Sequence, residues 1–261
     1  MVYIKTYQEI DLMRESSLLV SRTHAELAKI IKPGINSLYL DKIAEEFIRD
    51  NGGVPGFKGY NGFPNTLCVS QDNEVVHGIP SDQPISEGAI LSIDCGVLMN
   101  GYYGDSAYTF AVGEISHDKK KLLKVTKEAL DLGVMAAACG NRIGDIGYSI
   151  QSFAESHGYS IVRELVGHGI GQNLHESPEV PNYGKKGEGI KLADGMVLAI
   201  EPMVNLGKAE VLQKDDGWTI ETRDGLPSAH FEYTIAIKKE KTEILSSFDF
   251  IEDVFKINKN G

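Results

Sequence analysis

The sequence predicts an α+β fold of two similar halves, with helices packed on a mostly antiparallel sheet, and three observations lead there. Helix-length amphipathic stretches come in two pairs, and strand-like runs follow each pair. Asn100-Gly101 sits between two apolar runs, the strongest short signal for a two-residue hairpin. At a constant offset, GINSLYLDKIAEEFIRDNG lies over GNRIGDIGYSIQSFAESHG, aligning Gly34 with Gly140, Leu40 with Ile146, Phe47 with Phe153 and Gly52 with Gly158. A repeated helix–helix–strand plan implies pseudo-twofold symmetry: one domain over residues 1–261, with halves of about 1–112 and 113–250. A ligand site is expected in the cleft between such halves.

Taken in order, Tyr7 to Ile31 carries apolar residues at helical spacing (Leu12, Leu19, Ala25, Ala28) and stops at Pro33-Gly34. Ser37 is the expected N-cap of a second helix through Arg49, halted by Asn51-Gly52-Gly53. After the turn-rich GGVPGFKGYNGFPN come strands around Thr66–Val69 and Ile90–Val97. Lys119 to Ala138 and Ile143 to His157 form the second helix pair, the latter ending at Gly158. Pro178 to Gly189 is expected to be an exposed loop.

Bulk properties exclude several classes. No apolar run approaches the roughly 20 residues that span a bilayer. The polar, acidic start MVYIKTYQEIDLMRESS is unlike a signal peptide, so a cytoplasmic location is expected. Cys68, Cys95 and Cys139 are scattered without a CxxC and read as reduced thiols. The net charge of −11 repels phosphate backbones and argues against direct nucleic-acid binding. The basic run Lys119 to Lys121 reads as a solvated helix face.

The hairpin raises the chemical question. Around Asn100-Gly101, Met99 pairs with Tyr102, Asp94 faces Ala107 and Asp105 faces Gly96. The two aspartates then lie diagonally on one face, at most about 7–8 Å apart at Cβ. Leu91, Ile93, Cys95 and Val97 point the other way, into the core. Two carboxylates on a covered face repel each other and need a shared proton, an arriving Lys or Arg, or a metal ion.

Three later segments bear on that choice. ELVGHGIGQNLHE sets His168 between glycines. GMVLAIEPMV puts Glu201 at the end of an apolar strand. SAHFEYTIAI alternates, with Ala229, Phe231, Tyr233 and Ile235 on one face and His230, Glu232 and Thr234 on the other. A Glu in an apolar strand usually has a partner. One imidazole and four carboxylates exceed the needs of one tetrahedral ion and suit two adjacent divalent ions of the Mn, Fe or Co type.

With NEVVHGIP, SIDCGVLMNGYYGDSAYTF, ELVGHGIG, LAIEPM and DGWTIETRDGLPSAHFEYTI in view, the chain resembles the type I methionine aminopeptidases of the pita-bread fold. The likeness runs from the IKT near the start through the last strand. It implies a curved central sheet, and metal ligands Asp94, Asp105, His168, Glu201 and Glu232, with Asp105 and Glu232 bridging. By the same resemblance His77 and His175 contact the scissile peptide, and Glu201 is the general base. Tyr60, Phe63, Cys68, His77 and Trp218 match positions that surround the methionine side chain. The remaining histidines, His24, His117, His157 and His230, are assigned to structure or surface.

The chain departs from the family's usual residues in four places. The family often has Gln at His230 and His or Asn at Tyr233. Both flank Glu232, so different tuning of the metals is expected there. Leu174 stands where an aromatic is common and Phe57 where a Cys is often seen, which bears on pocket shape.

The resemblance thus implies hydrolysis of N-terminal methionine from nascent proteins, favouring a small second residue. The cofactors would be two divalent ions, with Co, Mn, Fe and Zn all suiting the ligands. A monomer working near the ribosome is expected, with neither nucleic acid nor membrane as a direct partner. The short path from Glu201 to Glu232 leaves no room for the type II helical insertion, and no extension precedes Tyr3, so a bacterial-style enzyme is expected. Two alternatives stand beside it: a proline-specific peptidase of the same fold, and an inactive binding protein on this scaffold.

Overall fold

A computed structural model describes residues 2–260, with backbone alone for 258–260. Helix α1 spans Tyr7–Ala28, and Thr6 and Glu9 form a reciprocal capping box at its start. It ends three residues before Ile31, with Lys29 as its C-cap. Helix α2 is Ser37–Asp50, and its N-cap is Asn36, whose side chain accepts from the Tyr39 N–H at 2.8 Å. This corrects the assignment to Ser37. Asn36 holds the extended backbone a cap requires (φ −112°, ψ 155°), while the Ser37 hydroxyl accepts from the Ser81 N–H at 2.7 Å.

Helix α3 (His117–Ala136) is capped by Ser116, and helix α4 is Ile143–Ser156. The offset that aligns the two sequence segments also aligns α2 with α4, each of 14 residues, end for end. The flanking glycines agree: Gly34 and Gly140 take φ of 87° and 96°, and Gly52 and Gly158 take 80° and 84°. A last helix, α5 (Asp249–Asn260), packs beside α1.

Among the described residues every strand ladder is antiparallel. The hairpin Ile90–Met99 and Tyr102–Ala111 has the expected register, with Asp94 opposite Ala107 and Asp105 opposite Gly96. Its two-residue turn holds Asn100 and Gly101 at φ 53° and 79°, as the tight hairpin loop demands. Strand Leu67–Gln71 pairs with its outer side.

The second half contributes a five-stranded sheet in the order Glu243–Ile244, Tyr233–Ala236, Val197–Ile200, Gly167–Gly169, Glu176–Val180. Pro178 to Val180 therefore belong to a strand, which corrects the loop assignment for the start of that segment. The strand lies at the sheet's edge, where Pro178 costs no ladder bond, and Val180 is fully buried opposite Gly167.

The hairpin and the second-half sheet do not form one continuous ladder. Hydroxyl groups join them instead. Thr234 Oγ1 donates to the Asp105 carbonyl at 2.7 Å and accepts from the Asp105 N–H at 3.2 Å. Thr109 Oγ1 does the same for His230, at 2.7 and 2.9 Å. Between these, Ser106 Oγ donates to the Glu232 carbonyl at 2.7 Å, and the Glu232 N–H donates to Ala107 at 2.9 Å. Leu91, Ile93, Cys95 and Val97 on one side, and Ala229, Phe231 and Tyr233 on the other, share a single core with residues of α1 to α5.

Helix α1 approaches the hairpin closely: a Cβ on Gly104 would lie 2.4 Å from the Ser17 nitrogen. Thr234→Val keeps the shape but strands the buried polar groups of Asp105. It should lower unfolding free energy by about 1–3 kcal/mol in a urea titration; an unchanged midpoint would contradict the stitch.

Candidate active site

The face of the hairpin opposite the core opens into a cavity of about 260 Å³. Asp94 and Asp105 enter it from the hairpin, and His168 enters from the strand Gly167–Gly169. Glu201 follows the strand Val197–Ile200 directly, and Glu232 lies in the break between Ser228–His230 and Tyr233–Ala236. The glycines beside His168 are required by close packing. A Cβ on Gly167 would sit 2.4 Å from the Ala199 carbonyl oxygen, and one on Gly169 2.5 Å from that of Ser177.

Ligand atoms of Asp105, His168 and Glu232 all lie within 4.8 Å of one another. His168 Nε2 is 3.5 Å from Glu201 Oε1 and 3.9 Å from Asp105 Oδ2. Its Nδ1–H donates to the Gly169 carbonyl at 2.9 Å, which leaves Nε2 as a bare lone pair aimed at the carboxylates.

The charges do not balance from within the protein. Burial, then mutual repulsion, pushes Asp105, Glu201 and Glu232 well above the carboxylate range, and burial raises Asp94 to about 7. At such separations two carboxylates repel by about 3–4 kcal/mol for an effective dielectric near 20. No Lys or Arg among the described residues lines the cavity. Burial also holds His168 and His230 at about 3 and His77 at about 4, so no imidazole supplies a positive charge.

Asp94 Oδ1, Asp105 Oδ1 and Glu232 Oε1 are buried without any hydrogen-bond partner. Of the three ways to relieve paired carboxylates, no Lys or Arg among the described residues arrives, and a proton shared between Asp94 and Asp105 leaves Glu201 and Glu232 without a counter-charge. The oxygen-rich set with one bare imidazole nitrogen fits divalent cations.

The other side of the cavity is shaped for a side chain. Phe63 and Trp218 meet edge to face at 5.2 Å, beside Cys68, Leu174 and Phe57. Phe57 packs on the bare backbone of Gly96, where a Cβ would come within 2.5 Å of its ring. The Tyr60 hydroxyl and His175 Nδ1 are 2.9 Å apart, and the His175 ring stands 4.3 Å from that of His168. His77 holds a left-handed backbone (φ 58°), a conformation β-carbon-bearing residues avoid unless the surroundings enforce it.

All the catalytic, metal-ligating and substrate-contacting candidates named from the sequence line this one cavity. Asn61, Val76, Leu165, Val166 and Met203, which the sequence assignment did not name, line it too, as does His230, named there only as flanking Glu232. For His230 the signal was available: it is two residues before Glu232 in an alternating segment and must share its face. Tyr233 turns the other way and stacks on Phe248, the residue before the C-terminal helix, at 4.2 Å, so this departure affects packing there rather than the cavity.

Residues 11–239 match metallopeptidase family M24. The chain is 51% identical over 246 residues to methionine aminopeptidase 1 of Bacillus subtilis, covering 94% of this chain and 99% of that one. It is likewise 51% identical over 247 residues to the methionine aminopeptidase of Clostridium acetobutylicum, covering 94% and 99%. The crystal structure of the Rickettsia prowazekii methionine aminopeptidase superposes with a TM-score of 0.93 at 39% identity, covering 95% of this chain and all of that one. With this pita-bread fold and this likeness along its length, the chain belongs to the divalent-metal-dependent peptidases of family M24, among the bacterial-type methionine aminopeptidases.

Proposed function

We propose that this protein hydrolyses the N-terminal methionine from newly made proteins whose second residue is small. Asp94, Asp105, His168, Glu201 and Glu232 would hold its two divalent ions (Co, Mn, Fe or Zn). The observation that carries the proposal is the gathering of ligand atoms of Asp105, His168 and Glu232 within 4.8 Å of one another, with His168 Nε2 bare and buried carboxylate oxygens of Asp94, Asp105 and Glu232 unpartnered.

Divalent ions, when bound, supply the Lewis acidity that makes water a nucleophile at neutral pH. Glu201 accepts the proton of the attacking water and returns it to the leaving amine. His175 donates from Nε2 to the developing oxyanion, because the Tyr60 hydroxyl satisfies Nδ1. His77 hydrogen-bonds the scissile amide nitrogen. Asp94 receives the substrate's free α-amine, which restricts cleavage to the first bond. The methionine side chain occupies the space among Tyr60, Phe63, Cys68, His77 and Trp218, with Phe57 and Leu174 closing it.

One catalytic domain spans the chain, its halves meeting near residue 112. The enzyme acts as a monomer in the cytoplasm on chains emerging from the ribosome. Unpaired cysteines and the lack, among the described residues, of any helix long and apolar enough to cross a membrane support that location. The Pyrococcus horikoshii prolidase shares the fold at TM-score 0.77 and 22% identity, with this chain spanning 63% of it, a likeness of fold alone.

Met-Ala-Ser should be cleaved and Gly-Pro dipeptides left intact; the reverse preference would favour the prolidase alternative. Glu201→Gln should lower kcat by at least about 10²–10³-fold while metal binding largely persists. Retained turnover would remove Glu201 from the role of base.

The raised carboxyl pKa values give a pH dependence. At neutral pH the metal-free site holds protons that an entering ion must displace, so affinity falls as pH falls. Manganese titrations by calorimetry between about pH 6 and 8 should show tighter binding at higher pH and net proton release. Affinity independent of pH would contradict the buried-carboxyl description.

A further inference from the structure

His230 has no task in the mechanism above, yet its ring sits in the cavity. The residue is 1% exposed and its Nε2 has no hydrogen-bond partner. That nitrogen lies 3.7 Å from Glu201 Oε2, while His168 Nε2 lies 3.5 Å from Oε1 of the same carboxylate. Glu201 is thus bracketed by two imidazoles, one at each oxygen.

The two rings are not equivalent. His168 commits its proton to the Gly169 carbonyl through Nδ1 and presents a lone pair to Glu201. It can share an ion with that carboxylate and cannot donate to it. A donor to Glu201 therefore has to come from the other side, where His230 stands. The backbone of His230 is fixed at both polar groups by Thr109 Oγ1 and pairs with Met203 across the strand. With its backbone so held and its ring enclosed, His230 presents Nε2 to Oε2 at 3.7 Å, so a hydrogen bond between them requires a rotation of the Glu201 carboxyl.

We propose that His230 is a positioning residue for Glu201. Its Nε2–H donates to Oε2 and turns the carboxylate so that Oε1 faces His168. This rests on the assignment of Glu201 as ligand and base. The hydrogen bond leaves the ring neutral throughout and moves no proton. Its effect is geometric: a carboxylate held at one oxygen cannot rotate away from the attacking water.

The test uses the manganese-loaded full chain with His230→Leu, which removes the donor, and His230→Gln, which restores an N–H. His230→Leu should lower kcat on Met-Ala-Ser by about 10–100-fold with KM little changed. His230→Gln should recover most of the turnover lost in His230→Leu. The cobalt-loaded proteins give a readout independent of turnover: the visible d–d spectrum should shift in His230→Leu and return toward the parent in His230→Gln.

A parent-like kcat and spectrum in His230→Leu would overturn the proposal. So would equal damage in both variants, since a side chain needed only for packing is not rescued by a donor. Glu201→Gln, run in parallel, separates the two levels. If it keeps full turnover, the role of Glu201 fails; if it is inactive while His230→Leu is unimpaired, the role of His230 alone fails.

Discussion

Four carboxyl groups, those of Asp105 and Glu232 buried and those of Asp94 and Glu201 half-buried, crowd into one cavity with no Lys or Arg among the described residues to neutralise them, and the rest of the structure is arranged around that unfavourable placement. Asp105 comes from the first-half hairpin, and Glu232 from the second half. Their like charges would drive the two segments apart. The backbone resists by direct exchange: Thr234 grips both polar groups of Asp105, and Ser106 and Ala107 grip those of Glu232. The repulsion is therefore left for a cation to relieve, and the strain is kept out of the fold.

The same stitch explains the order of the sheet. A continuous ladder would have placed Asp105 and Glu232 in ordinary pairing positions. With hydroxyl bonds in place of several ladder bonds, the alternating segment 228–236 can break at Phe231 and Glu232 and still keep its faces. Phe231 and Tyr233 stay in the core, and His230 and Glu232 stay in the cavity. Helix α5 and the residue before it close the far side: Phe248 stacks on Tyr233 and meets Tyr108 at 4.9 Å, and Lys127 of α3 pairs with Glu252 of α5 at 2.7 Å. This helix follows the region that matches the family.

Much of the site was legible because its signals were local. Asn100-Gly101 set the hairpin register, and that register alone put Asp94 and Asp105 on one face. Glu201 and Glu232 stood out as acids in apolar strands. What stayed hidden depended on contacts between distant segments. Asn36 and Ser37 are both good caps in sequence, and only the backbone angle at Asn36 and the Ser81 bond to Ser37 decide between them. Pro178 to Val180 look like loop until the edge position and the burial of Val180 are known. The alternation put His230 on the face of Glu232, but its place beside Glu201 depends on a contact between distant segments, seen only in the unpartnered nitrogen near that carboxylate.

The central physical claim is that acidic groups from separate segments are held together for the sake of cations. A crystal grown with manganese and measured at a wavelength where manganese scatters anomalously tests it most directly. The account predicts two strong anomalous peaks among Asp94, Asp105, His168, Glu201 and Glu232, with an oxygen of Asp105 and of Glu232 reaching both. A map without anomalous density there, and with the carboxyl groups paired only through short mutual hydrogen bonds, would contradict it.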